Sequence, residues 1–169
     1  MNQLEESIGN LRSETLREEH ERLLDHAEHI RIAALELPIL SPEEARELID
    51  RIVSFLRGPF EAYGESEARA LYPHVDRMLH DPHATAAMRY DLEAIRRFAD
   101  ELASTSVRDT ATLQELLYGV HAVIRVHFRK EDELYLPLLE RERPERLQHL
   151  LRAMGEVRFE HGHPLHGDL

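Results

Sequence analysis

The sequence predicts an all-α protein, an up-down-up-down four-helix bundle followed by a short C-terminal fifth helix. Three observations predict it. Glu, Leu, Arg and Ala dominate the 169 residues while glycine occurs seven times, a composition that favours helix. Apolar residues recur at steps of three and four over long stretches, and no stretch alternates as a strand does. Prolines fall where helices must stop or start.

The elements follow in order. Residues 1–12 read as a loosely ordered lead-in or a short helix. A long helix runs from about Ser13 to Leu37, with Leu16, His20, Leu23, Ala27, Ile30, Ala34 and Leu37 on one stripe, and Pro38 ends it. Ser41-Pro42-Glu43-Glu44 is a helix start with a capping serine, a first-turn proline and a glutamate three residues on. This second helix extends to about Leu79, with a break or kink expected at Gly58-Pro59. Asp81-Pro82 opens a third helix ending near Ala103. Ser104 to Asp109 is a polar loop, and the fourth helix covers about Thr110 to Arg141. Pro144 opens a fifth segment to about Arg158. Residues 1–158 form one domain, and 159–169 read as a mobile His/Gly/Pro tail.

Composition excludes several function classes. The formal net charge is −12, so phosphates would be repelled and nucleic acid is not an expected partner. No run of about 18 apolar residues is present, so no membrane span is expected, and no signal-peptide pattern opens the chain. Cysteine is absent, which removes disulfides and thiolate-bound metals. The cytoplasm is the default location. No nucleophile–base triad or glycine-rich phosphate loop supports a hydrolase or a nucleotide site. Twelve histidines stand out and direct attention to metal or proton chemistry.

One stretch carries that chemistry. Leu113, Leu117, Val120, Ile124, His127, Glu131, Leu134 and Leu138 form the stripe of the fourth helix. His127 and Glu131, four residues apart, sit one above the other on this apolar face. A carboxylate there costs several kcal/mol unless it is paired or bound to a metal. The second helix repeats the pattern: Glu67 precedes Pro73 by six residues, as Glu131 precedes Pro137. Glu67 also lies on a stripe, with Ile49, Ile52, Leu56, Tyr63, Ala70 and His74. Two related hairpins would bring the two glutamates face to face. Divalent cations between them would relieve the repulsion, and bundles commonly bridge metals in this way.

Counting residues along the bundle puts His20, Tyr63, Glu67, His127 and Glu131 in one layer. His26 and His121 fall in a second layer about 9 Å away, at 1.5 Å per residue. His74 is a lower-ranked candidate on the Glu67 face. His29, His80 and His83 read as solvated or capping residues, and His161, His163 and His166 as part of the tail.

These residues resemble the hemerythrin-like (HHE cation-binding) family over roughly residues 13–142. The resemblance is carried by His-x-x-x-Glu followed by a Leu/Tyr-rich turn and proline. It is complete from His127 to Pro137 and half present from Tyr63 to Pro73, with Glu19-His20 fitting the approach on the first helix. The resemblance implies a four-helix bundle holding two non-haem irons, with roles in binding dioxygen, nitric oxide or peroxide-type ligands, or in iron sensing and storage. The chain departs from the family pattern where Tyr63 stands for a histidine, and on the third helix, where Met88 and Leu92 stand in the ligand region.

The expected ligand set is therefore His20, Tyr63, Glu67, His127 and Glu131, with His26 and His121 as replacements from the second layer. Glu67 and Glu131 would bridge a di-iron centre, and zinc or manganese also suit such donors. The expected partner is a small diatomic or peroxide ligand, and any catalysis would be peroxide disproportionation or a related oxidation. The rival expectation is a degenerate bundle with one metal or none, acting as a sensor or interaction module.

Overall fold

The computed structural model describes the backbone of residues 3–160 and the side chains of residues 15–160. Among the described residues every regular element is helical. We number them α1 (Gln3–Glu36), α2 (residues 42–79), α3 (Ala86–Ser104), α4 (residues 110–139) and α5 (Pro144–Glu160). The first helix begins earlier than the sequence indicates, taking in residues expected to form a loose lead-in. The histidines at positions 161, 163 and 166 lie outside the described residues.

The helix boundaries have local causes. The Ser41 backbone N–H donates to Glu44 Oε2 at 2.8 Å, and the Glu44 N–H donates to Ser41 Oγ at 3.3 Å. This reciprocal cap satisfies two otherwise free donors and contributes about 1 kcal/mol. At its other end α2 stops on His80, whose φ of 54° is left-handed. The Asp81 N–H then returns to the Asp76 carbonyl at 3.1 Å, closing the last turn. Asp81-Pro82 does not start α3; residues 81–85 form turns instead. There the Thr85 N–H and hydroxyl both donate to Asp76 Oδ1 at 2.9 Å.

Gly58-Pro59 does not break α2. A wide turn over Leu56–Phe60 absorbs the proline and the helix continues, as π-type turns permit. Two further wide turns, Glu67–Leu71 in α2 and Glu131–Tyr135 in α4, each begin on a candidate glutamate. In each, the carbonyl of the glutamate accepts the N–H five residues on: Tyr72 to Glu67, and Leu136 to Glu131. The extra residue shifts the buried stripe. Past Glu131 the core takes Tyr135, Leu136 and Leu139, while Leu134 is 57% exposed. Past Glu67 it takes Leu71, Tyr72 and Val75 rather than Ala70 and His74. The apolar stripe therefore holds up to each glutamate and fails just beyond it.

Packing follows from paired contacts. Gln114 reaches the Ala34 carbonyl and Arg17 reaches Glu140, so α1 and α4 are antiparallel. Arg57 with Asp100 and Arg96 with Glu61 make α2 and α3 antiparallel. The Asp91–Lys130 pair and the close approach of Gly119 to Phe98 do the same for α3 and α4. The fifth helix packs on both α1 and the second half of α2. Its Arg158 holds Glu19 at 2.8 Å. Leu16, Leu23, Ala27, Ile30, Ile49, Ile95, Leu113, Val120 and Ile124 form the shared core. No described helix is long and apolar enough to cross a membrane.

Candidate metal centre

The charged groups of the core gather at one level. His20, Glu67, His127 and Glu131 are each at most 1% exposed. Ligand atoms of His20, Glu67 and Glu131 all lie within 4.8 Å of one another. His20 Nε2 is 3.3 Å from Glu131 Oε2. His127 Nε2 is 3.4 Å from Glu67 Oε2 and 3.7 Å from Glu131 Oε1. The single layer read from the sequence thus places α1, α2 and α4 side chains together.

Both inner histidines are oriented by carboxylates. His20 Nδ1 is 2.7 Å from Asp132 Oδ1, and His127 Nδ1 is 3.3 Å from Asp91 Oδ2. Lys130 also pairs with Asp91. These contacts turn both Nε2 atoms inward, the arrangement of histidines that bind metal through one nitrogen and are steadied through the other. Phe128 packs between the rings, 4.7 Å from His20 and 5.3 Å from His127. So α3 contributes Asp91, which steadies His127; Met88 and Leu92 are buried apolar residues there.

The sequence reading also missed Tyr72. Its hydroxyl is 3.1 Å from Glu67 Oε2, 2.9 Å from Glu131 Oε1 and 3.3 Å from His127 Nε2. In an unbroken α-helix, residue i+5 would point about 140° away from residue i. The wide turn between Glu67 and Tyr72 brings the two side chains to one site. A glutamate followed five residues on by Tyr-Pro is the signal that was available.

Tyr63 is 1% exposed and its hydroxyl has no hydrogen-bond partner. Its ring meets the His20 ring edge-on at 5.9 Å, with the Arg158 guanidinium 5.5 Å from the ring centre on its own contact. Leu92 packs on Gly64 so tightly that a Cβ there would lie 2.8 Å from Leu92 Cδ2.

His26 and His121 do not enter this cluster. The His26 ring lies 4.8 Å from Phe55 and lines a small cavity of about 140 Å³ with Ile30, Leu48 and Ile52. His121 Nε2 is 3.5 Å from Glu28 Oε2. His74 lines a cleft of about 850 Å³ between α2 and α5, with Nε2 3.3 Å from Glu142.

The electrostatics show that the two buried glutamates need positive charge beside them. Burial, and then the charge of Glu131, push the Glu67 carboxyl up. Burial also works to raise Glu131, but the His127 and His20 imidazoliums outweigh it and hold that carboxyl down. Burial opposes charge on His20, yet Asp132 and Glu131 lift it to about 9. Burial likewise opposes charge on His127, and Glu131 and Asp91 lift it to about 10. Burial raises both Tyr63 and Tyr72 well above the ordinary phenol range.

Donor counting gives the same answer. Tyr72 has one proton to give, shared among two carboxylates. Glu67 Oε1 and the Tyr63 hydroxyl are buried with no hydrogen-bond partner, and His20 Nε2 and Glu131 Oε2 have only each other, at 3.3 Å. Each such atom costs about 1–3 kcal/mol if left unpaired. One cation bound at about 2.0–2.2 Å sets its ligands roughly 3.0–3.4 Å apart, and His20 Nε2 and Glu131 Oε2 are 3.3 Å apart. The residues present fit a metal ion of nitrogen and oxygen preference.

Buried histidines and glutamates converging from three helices make a donor set that could hold a metal ion. The model of the hemerythrin HHE cation binding domain matches residues 11–139, and the chain belongs to that family. No curated protein and no solved structure matches it significantly.

Proposed function

We propose that the chain is a non-haem iron protein that binds or senses a small diatomic or peroxide-type ligand. The observation that carries this reading is the convergence of buried His20, Glu67 and Glu131, whose ligand atoms all lie within 4.8 Å of one another. Family membership supports iron, while the donors themselves also suit zinc or manganese. α1 to α4 are read as the up-down-up-down bundle, supported by the antiparallel pairs, with α5 packed against α1 and α2 in the same domain.

Bound iron would supply a Lewis-acidic, redox-active centre. The chain's own residues do the rest. His20, Glu67 and Glu131 hold the ion, and Asp132 fixes the His20 ring. The Tyr63 ring packs edge-on against the His20 ring. His127, braced by Asp91, stands on the far side of the glutamates. Leu23, Ile30, Ile124 and Phe128, all nearly or fully buried, exclude water and limit side reactions.

The rival reading, a degenerate bundle with one metal or none acting as a sensor or interaction module, is motivated by Met88 and Leu92 on α3. With no metal bound, it leaves Glu67 Oε1 and the Tyr63 hydroxyl buried without a partner. Elemental analysis and a visible spectrum of purified protein decide between them. The proposal expects bound iron and visible absorption that changes on adding nitric oxide. Colourless protein that takes up no iron when loaded would sink it.

A further inference from the structure

Two glutamates offer four oxygens, and the structure divides them between two sides. On one side His20 Nε2 lies 3.3 Å from Glu131 Oε2, with a ligand atom of Glu67 within 4.8 Å of both residues' ligand atoms and the Tyr63 ring edge-on to His20. On the other side Glu67 Oε2, Glu131 Oε1 and His127 Nε2 surround a single atom, the hydroxyl oxygen of Tyr72. We propose that the centre holds one cation, on the His20–Tyr63 side, and that the Tyr72 hydroxyl takes the position a second cation would need. The inference rests on the metal-binding reading above and fixes its stoichiometry.

Geometry carries the argument. A second cation would sit about 2.0–2.2 Å from Glu67 Oε2, Glu131 Oε1 and His127 Nε2. The Tyr72 oxygen already lies among those three atoms at 3.1, 2.9 and 3.3 Å. These are hydrogen-bond distances, and no cation fits between them. Tyr72 is fully buried, and the Arg89 guanidinium lies 5.4 Å from its ring centre. The wide turn at Glu67 and the following Pro73 fix the backbone that delivers it.

The repeat shows the same asymmetry. Tyr72 corresponds to Leu136, five residues after Glu131. Leu136 has no polar atom to place among the carboxylates as the Tyr72 hydroxyl does. On the Tyr72 side, α3 adds no donor to replace what the hydroxyl displaces. Leu92 packs against Gly64, and Asp91 faces His127 Nδ1 and Lys130. One side has ligands and no plug; the other has a plug and an incomplete ligand set.

The test is the number of ions bound. The full chain is loaded with iron(II) without oxygen, desalted and analysed for iron and protein. Tyr72→Phe is treated in parallel, with circular dichroism as a check on folding. The wild-type protein is expected to retain about one ion, and Tyr72→Phe a second, weaker one. About two ions in the wild-type protein would overturn the single-cation inference while leaving the metal-binding reading intact. No iron in the wild-type protein would overturn that reading itself. A folded Tyr72→Phe that still holds only one ion would overturn the role given to the hydroxyl. The wild-type count stands whether or not the variant folds.

Discussion

Glu131→Gln separates the site's chemistry from the protein's stability. The substitution keeps the shape of the side chain and an acceptor oxygen for Tyr72, now 2.9 Å away. It removes the charge 3.3 Å from His20 Nε2. Every partner of Glu131 keeps another: Tyr72 has Glu67, His20 has Asp132 and His127 has Asp91. The loss in folding stability is therefore that of one charge-assisted interaction, about 1.5–3 kcal/mol. Metal binding suffers more, because an amide oxygen replaces one of the three clustered ligands. Changing only a residue that supports a ligand commonly costs 10–100-fold, so affinity should fall by more than about 100-fold, above about 2.7 kcal/mol. Urea denaturation measures the first quantity and metal titration calorimetry the second. A variant that binds iron within a few-fold of wild type would refute the assignment of Glu131. One that fails to fold would refute the bracing argued from its neighbours.

Three further outcomes follow from the structure. His20 titrates at about 9 and must be neutral at Nε2 to bind metal, so loading releases its proton. Glu67, raised to about 8, must also lose its proton, so affinity should rise about tenfold or more per pH unit between pH 6 and 8, and calorimetry in buffers of different ionisation enthalpy should register the released protons; pH-independent affinity would contradict this. Because the His20 and His127 values are raised, chelator-treated protein has their stabilisation in full below the unfolded value of about 6.5 and loses it as pH rises through about 9 to 10. Its melting temperature should fall there, and that of loaded protein should not. His80 holds a left-handed backbone at the end of α2, so His80→Gly should stabilise the fold by about 0.5–1 kcal/mol in urea; a loss of stability would show that the turn depends on the histidine side chain.

The periodic stripes, the Ser41 cap and the paired glutamates were all legible in the sequence, because each rests on local rules: helical period, capping chemistry and the cost of burying charge. His20 was legible by counting along antiparallel helices. What stayed hidden depended on the two wide turns. They move the buried face by one residue beyond Glu67 and Glu131, so Leu134 is exposed and Tyr72 arrives at the centre. Periodicity assumes an unbroken α-helix and places Tyr72 on the wrong face. Asp91 and Asp132 were hidden for a different reason. They flank their stripes as solvated acids do, and only the tertiary fold turns them onto histidine nitrogens. Of the second layer proposed for His26 and His121, the His26 ring lies beside Phe55 and His121 beside Glu28.

The central claim is that a cation is held by His20, Glu67 and Glu131. Anomalous diffraction from crystals of iron-loaded protein, collected across the iron edge, locates the ion directly. The account predicts one peak within about 2.3 Å of His20 Nε2 and of both glutamates, on the Tyr63 side of the carboxylates. A peak beside His26 or His121, or a pair of peaks straddling the glutamates with Tyr72 swung away, would contradict it.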